Sequence, residues 1–314
     1  MIRLFAQAPD NPTKGAATDG QSILRLYAQY YLSGLIDLQL PGDEQIVLLI
    51  ADGVLVGAYH VIQTTADPIN VSLLSSYWRR GDTSIRSINL PRQAVRSARE
   101  LLEWSPPSQL VLVESAGFNE YLGLCQTNAS SGLIYLSIDD VEGYISLDRG
   151  LPLMHETVLV NSTGVDTGRK DFRQIIERFN SMFTLRFYEI RSGTIAAQQR
   201  QLRLAAVDLI KQILPDIQKV IGVKSSGVLL GEIQNEMQAN GWRIQLSVDG
   251  LRDSHIFNDL EGHANAYRTL FGILHSHLRR FVGRTLAQTI LQEGRSRIHL
   301  EYQQALNQSG INLP

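Results

Sequence analysis

The stretch "SGLIDLQLPGDEQIVLLIADGVLVGAY" runs from Ser33 to Tyr59, and a second stretch, "SGLIYLSIDDVEGYISLDRGLPLMHE", runs from Ser131 to Glu156. Both begin with the same four residues, at a separation of 131 − 33 = 98. In both, apolar residues alternate with polar ones, which is typical of strands that bury one face. Short polar turns separate the alternating runs. The sequence therefore predicts two copies of one antiparallel meander.

An amphipathic helix is predicted before each meander. Ser22–Leu32 carries apolar residues at helical spacing, and the same separation of 98 aligns Phe118–Gln126 with it. A short apolar run precedes each helix, at Ile2–Phe5 and at Leu110–Val113. The expected third strands are Val54–Tyr59 and Leu151–His155. Each unit thus reads as strand, helix and three-stranded meander.

The first copy resembles the PATAN unit, which is named for the N-terminal region of a cyanobacterial patterning response regulator. The residues that carry the resemblance are Ser33–Leu38, the apolar strand Ile46–Ile50, and Asp52–Ala58. The resemblance covers Gln21–Val61 and extends to Gly117–Val160. It implies a tandem signalling adaptor that acts in bacterial signalling, surface motility or cell polarity. Such units are often fused to a receiver domain, but we recognise no receiver motif here.

The C-terminal half is predicted to be mainly helical, with one helix over Asp171–Phe183 and another that runs from Leu260 past Gly283. Its strongest signal is a heptad-spaced apolar seam formed by Leu260, Ala264, Tyr267, Phe271, Leu274, Leu278 and Phe281. Such a seam suits the core of a helical bundle, and it also suits a homodimer through this helix. In either case the seam is expected to avoid water, and the sequence leaves both alternatives open.

These signals together predict an α+β fold. Two repeated helix-plus-antiparallel-meander units should be followed by a mainly helical C-terminal domain. The expected domains are 1–90, 91–168 and 169–314.

Composition narrows the classes of function. The 314 residues carry a net charge of −2, which argues against a dedicated nucleic-acid binder, because such domains are usually strongly basic. The lone Cys125 cannot form an internal disulfide. The sequence contains neither a secretory apolar segment near its N-terminus nor an uncharged apolar run of about 20 residues. We therefore expect a cytoplasmic protein with no transmembrane segment.

The motifs of common active sites are missing from the sequence. It contains no glycine-rich phosphate loop and no G-x-S-x-G nucleophile turn. Asp259 and His263 share one helical face, but a metal needs three or four converging ligands. We therefore expect no catalytic residue, no metal ligand and no cofactor. An enzyme whose site is assembled from scattered residues remains the alternative.

Two clusters are candidates for partner binding. Trp78, Arg79 and Arg80 open a polar linker, and Trp and Arg are frequent hot-spot residues, although a solvated loop anchored by Trp78 explains the same pattern. A second, basic cluster contains Arg279, Arg280 and Arg284. It would suit an acidic protein, a membrane surface or nucleic acid, and a solvated helix face is the simpler alternative.

The sequence therefore favours a non-enzymatic protein-interaction adaptor. It would bind other proteins, acidic ones among them, through sheet edges and through the helical domain. The alternatives are a nucleic-acid-associated regulator that uses the basic C-terminal helix, and an enzyme with a site that the sequence does not reveal.

Overall fold

The computed structural model describes residues 4–8, 20–78, 84–138, 140–169, 171–179 and 181–311. The fold is α+β, as the sequence predicts. Two antiparallel sheets with interspersed helices occupy the N-terminal two-thirds, and a mainly helical region follows. The chain divides into two compact units, one ending at Thr194 and the other beginning at Ile195.

The first sheet has five strands, flanked by an amphipathic helix, a short helix and a longer helix. In chain order the elements are α1 (Gly20–Gln29), β1 (Gly34–Leu40), β2 (Glu44–Ala51), β3 (Val54–Ile62), β4 (Thr65–Pro68), α2 (Leu74–Trp78), β5 (Ser84–Asn89) and α3 (Arg92–Glu103). The strand order is β4-β3-β2-β1-β5, and every pair is antiparallel. Alternate strand residues form one core with α1 and α2, which includes Ile23, Tyr27, Ile36, Leu38, Ile46 and Leu48.

The second sheet repeats this arrangement. Its elements are β6 (Gln109–Glu114), α4 (Phe118–Thr127), β7 (Gly132–Ile138), β8 (Val141–Asp148), β9 (Leu151–Pro152), β10 (Val158–Asn161), β11 (Gly164–Thr167), α5 (Phe172–Glu177) and β12 (Met182–Glu189). The strand order is β11-β10-β8-β7-β12-β6, with β9 paired to β8. Apart from β6 and β9, this is the order of the first sheet, element for element. The duplication is therefore longer than the meander that the sequence predicts.

Two details of the predicted repeat are wrong. The third strand of the second copy does not run through Leu151–His155, because β9 is only two residues long and Met154–Glu156 form a 3₁₀ turn before β10. The apolar run before the first helix is not a strand where the structure describes it, since residues 4–7 form a turn. Ile2 lies outside the described residues.

One corner recurs in both copies with the same hydrogen bonds. The Ser33 hydroxyl accepts a hydrogen bond from the Asp52 backbone N–H at 2.9 Å, and the Ser131 hydroxyl accepts one from the Arg149 N–H at 2.8 Å. Asp52 and Arg149 are left-handed, with φ of 49° and 47°. In each copy, the serine thus connects the start of the first meander strand to the turn that precedes the third strand.

Helix α3 lies between the two sheets. It contacts β1, β2 and β4 of the first sheet and β7, β8, β10 and β11 of the second. Because both sides of the helix are covered, small and apolar residues are buried around most of its circumference, among them Ala94, Val95, Ala98, Leu101 and Leu102. Its Arg99 pairs with Glu103 at 2.9 Å, and Glu103 also accepts a hydrogen bond from Tyr59.

The segment after residue 169 does not begin the helical region. The sequence favours a helix over Asp171–Phe183, whereas α5 ends at Glu177 and β12 begins at Met182. β12 pairs with β7 on one side and with β6 on the other. Its alternating Phe183, Leu185 and Phe187 are buried in the core of the second sheet. The second sheet therefore extends past the domain boundary expected at residue 169.

The second unit contains five helices and one hairpin among its described residues. They are α6 (Ile195–Ile221), α7 (Val223–Gln238), β13 (Ile244–Ser247), β14 (Gly250–Asp253), α8 (Leu260–Val282), α9 (Arg284–Arg297) and α10 (Leu300–Gln308). The single helix that the sequence predicts from Leu260 through the basic cluster is two helices, because Gly283 has a φ of 81° and breaks it.

The heptad seam of α8 packs mainly inside this unit. Its five central members are buried: Ala264, Tyr267, Phe271, Leu274 and Leu278. Leu260 is partly buried, and Phe281 is 43% exposed, contrary to the expectation that the whole seam avoids water. These contacts favour the bundle-core alternative. A homodimer through α8 stays a prediction, and its contacts would have to come from exposed residues such as Phe281.

The helical unit contains a second duplication, which sequence analysis missed. Gly222 and Gly283 have the same φ of 81°, and each joins a long helix to a shorter one, at a separation of 283 − 222 = 61. Adding 61 to the buried positions of α7 up to Ile233 gives the buried positions of α9: Ser226, Leu229, Leu230 and Ile233 correspond to Ala287, Ile290, Leu291 and Gly294. The same shift relates the buried Leu209, Ile210, Ile213 and Ile217 of α6 to Leu270, Phe271, Leu274 and Leu278 of α8.

The two helix–glycine–helix copies are interlocked: besides the contacts between the two helices of each copy, α9 packs on α6 and α7 packs on α8. Arg297 of α9 pairs with Asp216 of α6 at 2.7 Å. His277 of α8 pairs with Glu236 of α7 at 2.6 Å. The shift of 61 maps Asp216 onto His277 and Glu236 onto Arg297. The two contacts therefore occupy equivalent places, and the carboxylate lies on the first helix of one copy and on the second helix of the other.

Candidate interaction sites

The N-terminal turn, residues 4–8, is held by polar side chains of both sheets. The Phe5 backbone N–H donates a hydrogen bond to the Tyr144 hydroxyl at 3.0 Å, and the two aromatic rings stack with centroids 4.7 Å apart. The Arg86 guanidinium donates to several carbonyl oxygens of the turn, including that of Phe5 at 2.6 Å. Arg86 lies on β5 and Tyr144 on β8, so the turn bridges the two sheets.

The buried Glu142 also binds the N-terminal turn. Its two carboxylate oxygens accept hydrogen bonds from the Gln7 backbone N–H at 3.0 Å and from the Tyr144 hydroxyl at 2.9 Å. Burial raises the pKa of the Glu142 carboxyl, against the opposing effect of these hydrogen bonds. Because both oxygens are engaged, the arrangement is suited to anchoring the turn. In the sequence, Glu142 is recognisable only as the residue that matches Glu44 at the separation of 98.

Trp78 is less available than a free loop residue would be. It is partly buried against the core of the first sheet, at the end of α2. Its ring fills the place where a side chain at Gly20 would lie, so it holds the start of α1. This packing fits the anchoring role that sequence analysis weighed as the alternative. Arg79 and Arg80 lie outside the described residues.

The second basic cluster is exposed and lies at a junction of two helices. Arg279 and Arg280 end α8, whereas Arg284 begins α9. All three side chains are exposed to solvent. Burial lowers the pKa of the nearby His275, and the positive charges of Arg279 and Arg284 lower it further. The arginines therefore converge on one part of the surface.

The duplication adds basic residues that sequence analysis did not single out. Lys219 and Lys224 flank Gly222 as Arg280 and Thr285 flank Gly283. Both lysines are exposed. The signal that could have found them is the common pattern of a basic residue, two apolar residues and a glycine, at 219–222 and at 280–283.

Strand β6 forms an exposed apolar edge. Among the described strands it is the last of the second sheet, and its partner there is β12. Val111 and Val113 face the core, whereas Leu110 and Leu112 face the opposite side and are 66% and 62% exposed. Met182 of β12 shares that side and is 58% exposed. Sequence analysis found this run as apolar but did not predict its exposure.

The residues that suggested reactive chemistry have structural partners. Asp259 caps α8 by accepting a hydrogen bond from the Gly262 backbone N–H. His263 is buried, with its ring stacked 4.5 Å from that of Phe257. Cys125 is buried, and this burial raises the pKa of its thiol. Within the described ranges, no group of three or more His, Cys, Asp or Glu is arranged to hold a metal ion.

Comparison of the chain with protein-family models, with curated proteins and with solved structures finds no match. The resemblance to the PATAN unit therefore stays a hypothesis that rests on the quoted residues. Of the helices that the structure describes, none has the length and apolarity needed to cross a bilayer.

Proposed function

We propose that this protein is a non-enzymatic protein-interaction adaptor, and that it binds an extended segment of a partner protein along strand β6. The observation that carries the proposal is a strand edge that pairs with no other described strand, combined with exposed Leu110 and Leu112. An added strand would gain backbone hydrogen bonds along the edge, and alternate apolar side chains would pack on the leucines.

The composition of β6 supports this use. Edge strands that must avoid other chains usually carry lysine, proline or a bulge. The sequence from Gln109 to Glu114 has no lysine and no proline, and its pairing with β12 is regular over all six residues. Fully burying an exposed leucine is worth about 1.5–3 kcal/mol, so the pair offers useful binding energy.

The contrast with the first copy also supports the proposal. In the first sheet the strand β5, which corresponds to β12, is the last strand, and its Arg86 holds the N-terminal turn. In the second sheet Arg186 takes the corresponding place, lying 5.8 Å over the Tyr135 ring, and β6 continues the sheet beyond it. The second sheet thus ends in a strand that has no counterpart in the first sheet. A role in bacterial signalling, motility or polarity follows from the family resemblance alone.

A charge introduced on the exposed face of β6 tests the proposal. The variant Leu110→Lys/Leu112→Lys should fold normally, since both side chains face solvent, but it should lose the partner. Leu300→Lys is the matched control, because Leu300 is 68% exposed in the other unit. Partners recovered from the native host would be quantified for all three proteins, and binding of the purified partner would then be measured by calorimetry.

We expect the partner's affinity to fall at least about tenfold in the β6 variant and to be unchanged in the control. Equal binding by the β6 variant and the native protein would exclude this edge as the binding site. Turnover of a small molecule by the purified chain would instead favour an enzyme.

A further inference from the structure

The two glycine corners of the helical unit lie at the same end. Gln201 of α6 donates a hydrogen bond to the Glu301 carbonyl oxygen, and a side chain at Gly294 would touch Ile213. Residue numbers therefore rise in opposite directions along α6 and the α9–α10 segment. At about 1.5 Å per residue, the start of α9 at Arg284 lies level with the end of α6. Gly222 and Gly283 are consequently neighbours.

We call this surface the basic end and define it by its exposed side chains: Lys219, Val220, Val223, Lys224, Arg279, Arg280, Phe281 and Arg284. Five of them are basic. No aspartate or glutamate occurs in 217–231 or in 262–292. The acidic residues that flank the first of these segments, Asp216 and Glu232, pair with Arg297 and His277.

Apolar side chains stand among these charges. Val223 is 67% exposed, and Val220 and Phe281 are each 43% exposed. Val220 and Phe281 occupy equivalent places in the two copies, one residue after Lys219 and Arg280. The basic end thus pairs apolar groups with cations, which is the chemistry that binds peripheral proteins to anionic lipid.

The form of the corners distinguishes a lipid surface from other acidic partners. A side chain added at Gly222 or Gly283 would meet no heavy atom within 4 Å, so the space beside each corner is open. Open corners can enter a headgroup layer, whereas a bound peptide would require an enclosing groove. Single-stranded nucleic acid is usually bound on several stacked aromatic rings, whereas the exposed side chains that define the basic end include one ring, Phe281, and two valines.

We propose that the basic end docks on an anionic lipid surface, with its arginines and lysines at the headgroup phosphates and its apolar side chains among the upper acyl carbons. This goes beyond the proposed adaptor function and uses a different surface. The protein would hold a partner on β6 and a membrane at the basic end.

The test is sedimentation of the full chain with vesicles. One set is pure phosphatidylcholine, and the other contains about one-third phosphatidylglycerol. We expect binding to the anionic vesicles only, and we expect it to weaken strongly between about 0.1 M and about 0.5 M salt. Each basic residue near the surface should contribute about fivefold to the partition coefficient.

Charge reversal locates the binding surface. The variant Lys224→Glu/Arg280→Glu/Arg284→Glu should lower vesicle binding by at least about 100-fold. The matched control Lys211→Glu/Arg243→Glu/Arg252→Glu changes the net charge equally, at exposed positions outside the basic end. It should bind far more tightly than the first variant. Val223→Ser/Phe281→Ser, which keeps the charge, should weaken binding by about tenfold or more.

Three results would overturn the proposal: failure of the native chain to bind anionic vesicles, equal loss of binding in both charge variants, and tighter binding of duplex DNA or polyglutamate by the same residues. Circular dichroism of each variant separates loss of binding from loss of folding. Leu110→Lys/Leu112→Lys should keep full vesicle binding, so failure of the adaptor proposal and failure of this one are distinguishable.

Discussion

The chain contains two internal duplications, and they differ in how much sequence their copies share. The N-terminal copies both begin with Ser-Gly-Leu-Ile, whereas the helical copies share little beyond Gly222 and Gly283. The cause lies in what each structure requires. At each meander corner a serine hydroxyl accepts a backbone hydrogen bond, and a glycine lies against the backbone of a helix. Few other residues can meet these two requirements. Packed helices need only apolar side chains at the correct spacing.

The largest expected effect comes from the corner glycines of the meanders. Gly150 has a φ of 77°, and an added side chain would lie 2.2 Å from the Gln126 Cα. At Gly53 the φ is 80°, but the nearest atom would be 3.0 Å away. Gly150→Ala should therefore cost about 3 kcal/mol or more, and Gly53→Ala about 1–2 kcal/mol.

Urea unfolding measures this difference in a Trp242→Phe background, where the remaining tryptophans, Trp78 and Trp104, report on the N-terminal unit. An equal or larger cost at Gly53 would show that the closer approach of the helix backbone to Gly150 does not set the cost of the substitution.

A smaller effect is expected at the helix corners. Gly222→Ala and Gly283→Ala each place a side chain at a φ of 81° with open space around it. With ψ of 156° and 167°, both residues lie in a region that is essentially open to glycine alone, so the cost is backbone strain of about 1–3 kcal/mol. It should agree between the two variants within about 0.5 kcal/mol. Thermal unfolding followed by the helical circular dichroism signal gives both values. A much greater loss in one variant would contradict the equivalence of the corners.

The smallest expected effect is a change in pH dependence at Glu142. Burial raises the folded-state pKa of this carboxyl above its unfolded value of about 4.3. The native protein should therefore lose stability as pH rises from the unfolded-state pKa to the folded-state pKa. Glu142→Gln cannot ionise, so its stability relative to the native protein should increase over the same interval.

Glu44 occupies the corresponding position in the first copy and is partly exposed, where it pairs with His60 at 2.9 Å. Glu44→Gln is therefore the matched control, and urea midpoints across this pH range compare the two variants. If Glu142→Gln gains no stability relative to the native protein as pH rises, then burial does not outweigh the hydrogen bonds in setting the pKa of the Glu142 carboxyl.

The sequence predicts the parts of the fold that depend on local pattern. The α+β class, the repeated meander and the glycine turns all follow from period-two alternation and turn residues. β12 was not recognised as the strand joining β6 to the second sheet, because pairing between residues 109–114 and 182–187 is a long-range contact that local patterns do not encode. The exposure of Leu110 and Leu112 depends on that same pairing.

The candidate sites show the same limit. The basic residues Arg279, Arg280 and Arg284 stand close together in sequence and were found there. Lys219 and Lys224 lie about 60 residues earlier in the chain. The antiparallel packing of α9 on α6 places their corner, at Gly222, beside the corner at Gly283. Trp78 was found by residue type, but its packing against Gly20 depends on the tertiary fold.

The central claim is that two helix–glycine–helix copies interlock, with α9 on α6 and α7 on α8. Paired cysteines in a Cys125→Ser background test it most directly. A side-chain carbon at Gly294 would lie 3.5 Å from the Ile213 Cβ, which is within the range that a disulfide spans. The shift of 61 residues maps this pair onto Leu274 and Ile233.

Oxidation followed by peptide mass mapping should therefore detect a cross-link in Ile213→Cys/Gly294→Cys and another in Ile233→Cys/Leu274→Cys. The pair Ile213→Cys/Ile233→Cys, which joins α6 to α7, should remain reduced. Cross-linking of that last pair, with the other two reduced, would mean that each copy folds back on itself. That result would contradict the interlocked arrangement and the basic end that it creates.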